Sequence, residues 1–203
     1  MDVKDIITCD NDDIEKMGID SDSFVERILE IDEENGLLEE AEGNYERLSA
    51  MYKITTDMWR VFMHNGRIIG YWSCLAVSDE LRNELETGTL REKDIHTGNV
   101  KTDLRNGVND VLFDAVCLEK PYQKMKLTGI VMKSMYDTFS ALASGGAQFG
   151  YIWGSVWSEE GRGFFGKLGA THHADNKYSG EIYRAAFPEF MRRLESLTMS
   201  FGL

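Results

Sequence analysis

The sequence contains little proline, little cysteine and comparatively little positive charge. It has 2 prolines and 3 cysteines in 203 residues, and 22 lysines and arginines stand against 35 aspartates and glutamates, so the net charge is −13. The cysteines lie far apart and form no C-x-x-C pair, which argues against a disulfide framework and against a zinc site. The acidic balance argues against general binding to nucleic acids or anionic membranes, because their phosphates repel it.

Long apolar runs are also absent, and the first thirty residues carry charges throughout. We therefore expect no transmembrane span and no signal peptide, and a soluble cytoplasmic protein. Apolar residues still make up 42% of the chain, which is typical of a globular rather than a disordered protein. No repeat, low-complexity tract or proline-rich linker divides the sequence, so we expect one domain over residues 1–203 with a proper core.

The N-terminal half contains a helical part and a hairpin. Residues 1–50 are acidic and their apolar spacing predicts helices, with a cap at 21–23 and the carboxylates at 32–34 on a solvated face. An Asn-Gly turn at 65–66 between two alternating segments predicts a β-hairpin. The polar stretch 79–107 predicts a short helix followed by an irregular excursion, and such an insertion often lies over a binding site.

The C-terminal half alternates strands and helices. A long apolar strand over 111–118 is expected to be central in the sheet. Together with the hairpin, this order predicts the α/β (α+β) fold class, with a single mixed, mostly antiparallel sheet flanked by helices. The elements predicted after this strand are a helix (130–142), a strand (149–157), a short helix (159–168), a hairpin (171–187) and a helical tail (188–203).

The turn after strand 111–118 is the most informative segment. A strand that leads through a polar turn directly into a helix leaves backbone N–H groups free at the helix N-terminus, and these groups bind anions. Lys124 and Lys126 add two positive charges to this turn in an otherwise acidic protein. The unit predicts a site for a phosphorylated cofactor, although two lysines on a solvated loop explain the same residues equally well.

Two motifs and the order of the elements resemble the GCN5-related N-acetyltransferase (GNAT) family over roughly residues 55–187. Residues 118–128, LEKPYQKMKLT, are similar to the family's V-x-P-x-Y-R/Q-x-x-G-x-G/A coenzyme A segment, with Lys126 and Thr128 at the two glycine positions. Residues 164–170, FFGKLGA, resemble the family's F/Y-Y-E-K-L-G-F ending.

The resemblance implies the acyl-CoA N-acyltransferase fold and an acetyl-CoA-dependent N-acetyltransferase that transfers acetyl directly to a primary amine. It implies Asp114, four residues before Leu118, as the general base, with Glu119 as a second candidate. Phe165 stands where many members carry a tyrosine that protonates the leaving thiolate, so the hydroxyls of Tyr178, Tyr183 and Ser158 are considered for that role, with Tyr178 as the choice. The residues implied in binding acetyl-CoA are Cys117, Leu118, Glu119, Gln123, Lys124, Met125, Lys126, Leu127, Thr128, Gly129, Ser158 and Phe165.

Alternatives to this hypothesis remain open at the level of the sequence. A hydrogen-bonded strand carboxylate near the end of the sheet explains Asp114 slightly better than a base does. A GNAT-like non-catalytic module that binds coenzyme A or a protein would account for the missing glycines and for Phe165. A third reading is a longer acyl donor or an aminoacyl donor, with 79–107 widening the cleft. The expected partners are a small-molecule or protein amine and, by analogy, a second copy in a homodimer, with neither nucleic acid, membrane nor metal.

Overall fold

A computed structural model of the chain describes residues 5–36, 45–123 and 127–202. Its strands are β1 (Ile6–Cys9), β2 (Trp59–His64), β3 (Arg67–Ala76), β4 (Val108–Leu118), β5 (Gln148–Val156), β6 (Thr171–Asp175) and β7 (Glu181–Ala186). They form one seven-stranded sheet in the order β1-β2-β3-β4-β5-β7-β6. Every neighbouring pair is antiparallel except β4 and β5, which run parallel. The expected mixed, mostly antiparallel sheet is therefore confirmed.

Helices cover both faces of this sheet. They are α1 (Asn11–Lys16), α2 (Ser21–Glu34), α3 (Tyr45–Ile54), α4 (Asp79–Thr87), α5 (Lys120–Gln123), α6 (Thr128–Ser144), α7 (Glu159–Lys167) and α8 (Phe187–Ser200). Between α4 and β4 the chain makes two short 3₁₀ turns, as expected for an irregular excursion. Within the described part of the chain, no helix combines the length and the apolar character that crossing a membrane requires.

The composition predicted a helical N-terminal region, but this region is not entirely helical. Residues Ile6–Cys9 form strand β1, which pairs with β2 at the edge of the sheet. Four residues are too few to show a reliable alternation, so only the pairing with β2 reveals the strand. Helix α2 begins as expected, but its cap is Asp20, whose carboxylate accepts the backbone N–H groups of Asp22 and Ser23.

The predicted hairpin is confirmed with its turn. Strands β2 and β3 are joined by Asn65 and Gly66, whose φ angles are 52° and 75°. A two-residue turn of this kind requires a left-handed conformation at both central residues, which asparagine tolerates and glycine adopts freely. Local turn chemistry therefore determines this part of the sheet.

One face of the sheet carries a continuous apolar core. Helices α6 and α8 pack on it, and the side chains of Trp72, Val111, Phe139 and Phe190 are almost fully buried there. The ring of Phe139 lies at the centre, 5.6 Å from that of Phe190 and 6.3 Å from that of Trp72. We refer to this side as the continuous face.

The apolar core on the other face is divided into two clusters. Under α2 and α3, one cluster contains Phe24, Trp59 and Tyr71. Under α4 and the residues that follow it, the second cluster contains Leu112 and Trp153. We refer to this side as the divided face, and the polar residues between its two clusters form the site described next.

Candidate functional site

Strands β4 and β5 separate before either of them ends. Their pairing runs from Val108 opposite Gln148 to Phe113 opposite Gly154, after which β4 continues along β3 and β5 continues along β7. The ring of Phe165 lies against Gly154. The contact is so close that a Cβ atom added at Gly154 would be 2.1 Å from the Cζ atom of the ring. An opening between two otherwise paired strands is thus built into the centre of the sheet.

The backbone of β4 presents amide groups to this opening. The N–H of Glu119 donates to the carbonyl of Ile69 at 2.9 Å, and Cys117 faces Tyr71 in the same ladder. Because N–H directions alternate along an antiparallel strand, the amides of Cys117 and Glu119 point into the sheet. The N–H groups of Val116 and Leu118 point in the opposite direction, towards the opening. Val116 and Leu118, rather than Cys117 and Glu119, therefore have the N–H groups that face the opening.

Asp114 lies at the point where β4 leaves β5. The register between β3 and β4 shifts between Ser73 and Cys74, which leaves Asp114 without a partner on β3. The hydroxyl of Ser73 donates to Oδ2 of Asp114 at 3.0 Å. The Asp114 side chain still reaches solvent, yet the protein around it removes much of its hydration, and this burial raises its pKa. The positive charge of Arg47 and the hydrogen bond from Ser73 act in the opposite direction.

A second carboxyl group comes from the N-terminal helices. Asp32 on α2 is 9% exposed and accepts a hydrogen bond of 2.7 Å from the hydroxyl of Tyr71. Burial raises the pKa of Asp32 to about 7, and the negative charge of Asp114 acts in the same direction. The prediction that residues 32–34 form a solvated face is therefore wrong for Asp32. Its neighbours in the sequence gave no sign that this side of the helix meets Tyr71.

A third carboxyl group comes from the insertion after α4. Glu92 accepts a hydrogen bond of 3.2 Å from Nε1 of Trp157, and its backbone carbonyl lies 3.4 Å from Nη1 of Arg47. Burial raises the pKa of Glu92, and the charge of Asp114 adds to this effect. Asp32, Arg47, Glu92 and Asp114 act on one another electrostatically, and we call this group the acidic cleft. Glu92 is thus the contribution of the insertion 79–107 to the acidic cleft.

Glu119, the second candidate for the base, has a different environment. It is 4% exposed, forms an ion pair with Arg27 and lies 2.7 Å from Nη2 of Arg67. Both partners are guanidinium groups, which bind a carboxylate strongly. The two ion pairs anchor the end of β4 next to the opening.

The segment expected to bind a phosphorylated cofactor is described only at its two ends. Lys124, Met125 and Lys126 lie outside the described residues. On one side of them, Nε2 of Gln123 donates to the carbonyl of Leu118 at 2.9 Å. On the other side, Leu127 and Gly129 are buried, and α6 begins at Thr128 without a capping side chain. The N–H groups of the first turn of α6 thus have no side-chain acceptor at the cap position.

The remaining predicted residues have structural contacts of their own. The hydroxyl of Ser158 caps α7 by accepting the N–H of Gly161 at 3.0 Å. Tyr178 lies in the β6–β7 turn, 51% exposed, with the guanidinium of Arg91 5.3 Å from its ring centroid. Phe165 is buried in the continuous face, and Cys117 is buried in the divided face. Among the predicted residues that the structure describes, Asp114 is the one whose charge acts on both Asp32 and Glu92, the two carboxyl groups that the sequence did not single out.

Comparisons with known proteins bear on the fold. No family model matches the sequence, and no curated protein matches it. A solved structure of a GNAT-family acetyltransferase from Staphylococcus aureus Mu50 superposes with a TM-score of 0.52 at 10% identity, over 89% of this chain and 98% of that one. Ard1 from Thermoplasma volcanium gives 0.54 at 12% identity, over 89% and 95%. GphF, a GNAT-like decarboxylase in complex with isobutyryl-CoA, gives 0.51 at 13% identity, over 70% and 85%.

These similarities, at 10–13% identity, establish that the chain has the GNAT-like acyl-CoA N-acyltransferase fold. A fold alone does not define an activity, so the function has to be argued from the residues at the opening and in the acidic cleft.

Proposed function

We propose that the chain is an acetyl-CoA-dependent N-acetyltransferase that transfers the acetyl group directly to a primary amine. The observation that carries the proposal is the separation of β4 from β5 beside Asp114, with the acidic cleft on one side of the opening. The separation provides backbone amides for the acyl donor, and the cleft provides carboxyl groups for a cationic acceptor. The proposed binding sites of the acyl donor and of the amine thus adjoin each other at Asp114.

The residues at the opening fit a coenzyme A thioester. The N–H groups of Val116 and Leu118 point into the gap, where they can bond the pantetheine arm and the acyl oxygen. The uncapped first turn of α6 fits a diphosphate, and so do the positive charges of Lys124 and Lys126, which precede it in the sequence. When bound, the thioester supplies an activated acyl carbon. The isobutyryl-CoA complex of the GNAT-like decarboxylase supports an acyl-CoA as the ligand of this fold.

Asp114 is the proposed general base. An amine arrives as its ammonium form and must lose a proton before its nitrogen can form the amide bond. A carboxyl group with a raised pKa accepts such a proton more readily near neutral pH than an ordinary surface aspartate does. The amides of Val116 and Leu118 would stabilise the negative charge that develops on the acyl oxygen. Tyr178 remains the candidate to protonate the leaving thiolate, since Phe165 has no proton to donate.

The acceptor we propose is a cationic amine of a small molecule or of a protein. Asp32, Glu92 and Asp114 provide three carboxyl groups, and Arg47 provides one positive charge close to them. The excess of negative charge attracts an ammonium group and raises its local concentration.

Thermal unfolding with coenzyme A, followed by an acetyl-transfer assay on a panel of primary amines, tests this proposal. A ligand that binds the folded protein raises the melting temperature by mass action. We expect an increase with coenzyme A and turnover with cationic amines. An unchanged melting temperature together with no turnover would contradict the proposal.

A second candidate function is a GNAT-like module that binds coenzyme A without catalysis. It is favoured by Phe165, which occupies the expected tyrosine position and packs on Gly154. The same two measurements distinguish it, because such a module shows the increase in melting temperature with no turnover of any amine.

A further inference from the structure

We propose that Ser73 is a positioning residue, which fixes the carboxyl group of Asp114 through Oδ2 and leaves Oδ1 to accept the proton of the acceptor amine. This inference rests on the proposed function, because it concerns the group that we assign as the base. Nothing in the sequence pattern singles out Ser73, which lies in the middle of an apolar strand.

Two irregularities of the sheet coincide at Asp114. On one side, the register shift places Ser73 opposite Ala115 and Cys74 opposite Phe113, so that Asp114 is the extra residue of a β-bulge. On the other side, Phe113 is the last residue of β4 that pairs with β5. A bulge redirects a side chain, and here it does so where the neighbouring strand has already turned away. A carboxyl group in such a place needs a separate contact to fix its orientation.

Ser73 provides that contact from a fully buried position. Its side chain is 0% exposed, and it lies along β3 between Tyr71 of one apolar cluster and Leu75 of the other. A buried hydroxyl requires a hydrogen-bond partner, and this one donates to Oδ2 of Asp114 at 3.0 Å. One oxygen of the carboxyl group is therefore fixed by Ser73, and Oδ1 is the oxygen to which we assign the proton of the amine.

Charged and titratable groups from α2, α3, β3 and the insertion interact with Asp114. Arg47 on α3 lowers its pKa, whereas Asp32 on α2 and Glu92 in the insertion are carboxyl groups coupled to its charge. The hydroxyl of Tyr71 and the thiol of Cys74, both on β3, also interact with it and have pKa values raised well above their ordinary range by burial. Against this background the hydrogen bond from Ser73 stabilises the charged form and lowers the pKa of Asp114.

The variant Ser73→Ala removes only the hydroxyl, so we expect the pKa of Asp114 to rise further. Because the base must be ionised to accept a proton, the acidic limb of the profile of kcat/KM against pH should move upwards by about one pH unit. Ser73→Thr retains a hydroxyl and should restore the limb to its original position. A folded Ser73→Ala variant with an unchanged limb would overturn the inference.

Ser134→Ala is the matched control. Ser134 is a buried serine on α6 whose hydroxyl accepts the Nε1–H of Trp72, the neighbour of Ser73, at 2.9 Å on the continuous face. This variant loses one buried hydrogen bond without touching Asp114. We expect it to lower the melting temperature and to leave the acidic limb in place, whereas an equal shift in both variants would make the role of Ser73 merely structural.

A titration that needs no substrate keeps the inference separate from the proposed function. In protein labelled with ¹³C at the aspartate carboxyl carbons, the Asp114 signal is identified by its loss in Asp114→Asn. Its titration midpoint should rise by about one pH unit in Ser73→Ala, and an unchanged midpoint contradicts the contact. If Ser73→Ala does not fold, Ser73→Cys, with its weaker donor, takes its place and should shift the midpoint in the same direction. A wild-type chain that binds coenzyme A but acylates no amine contradicts the proposed function alone.

Discussion

The two faces of the sheet are built from the same strands but have different roles. On the continuous face, alternate residues of β3 and β4 meet α6 and α8 in an unbroken apolar core. On the divided face, the same strands carry Ser73 and Asp114 between two apolar clusters, and Asp32 and Glu92 come from the elements above them. Burial of polar and titratable groups costs stability, so the first face is expected to maintain the fold and the second to provide chemistry. The predictions below test that division, beginning with the largest expected effect.

The continuous face should dominate stability. Phe139 is fully buried between Trp72, Phe149, Phe187 and Phe190. Phe139→Ala leaves a cavity there, and we expect it to lower the free energy of unfolding by about 3–5 kcal/mol. Urea unfolding followed by circular dichroism measures the loss. A loss below about 1 kcal/mol would show that this face does not carry the core.

The divided face should make the stability of the protein depend on pH, so that the free energy of unfolding falls as pH rises. The folded pKa of Asp32 is raised from 3.8 to about 7, so the folded state binds more protons than the unfolded state between these values. Stability contributed by this group is therefore present at low pH and is lost as pH approaches 7. Asp32→Asn removes the dependence and keeps an acceptor for Tyr71.

We expect Asp32→Asn to match the wild type near pH 4 and to exceed its stability above pH 7 by up to about 4 kcal/mol. Melting temperatures of the two proteins measured across this range provide the test. Parallel curves would show that Asp32 ionises freely and is not a buried member of the acidic cleft.

The opening lies between the two faces, and its geometry depends on Gly154. A methyl group at this position would lie 2.1 Å from Cζ of Phe165, so Gly154→Ala must displace the ring or β5. We expect a loss of about 1–3 kcal/mol, measured by urea unfolding. Adding Phe165→Leu provides space for the methyl group and should recover part of the loss. If the double variant is no more stable than Gly154→Ala alone, the clash with the ring of Phe165 is not the cause of the loss.

Glu92 should affect the binding of the acceptor more than the chemical step. Glu92→Gln removes one negative charge from the acidic cleft and keeps an acceptor for Trp157. One such charge is worth about 1 kcal/mol at this depth, so KM for a cationic amine should rise about fivefold with little change in kcat. Steady-state kinetics at low salt measure this, with the exposed Glu80→Gln on α4 as the control. An equal effect of both variants would point to general surface charge instead.

The sequence predicted the parts of the molecule that local chemistry determines. The turn at Asn65 and Gly66 has a residue signature of its own, and the long strand containing Asp114 was visible as an apolar run. The acidic cleft had no such signature. Asp32 stands among other carboxylates on a helix, and only its packing against Tyr71 distinguishes it from a solvated residue. The bulge that joins Ser73 to Asp114 depends on the pairing of two strands, and the two residues are 41 positions apart in the sequence.

The most direct test of the account is the activity of Asp114→Asn. The substitution keeps an oxygen to accept the hydrogen bond from Ser73 but cannot take a proton from an amine. We predict that acetyl transfer at neutral pH falls about 100-fold or more, while the melting temperature and its increase with coenzyme A are retained. An unchanged rate with an unchanged pH profile would contradict the assignment of the divided face as the site of catalysis.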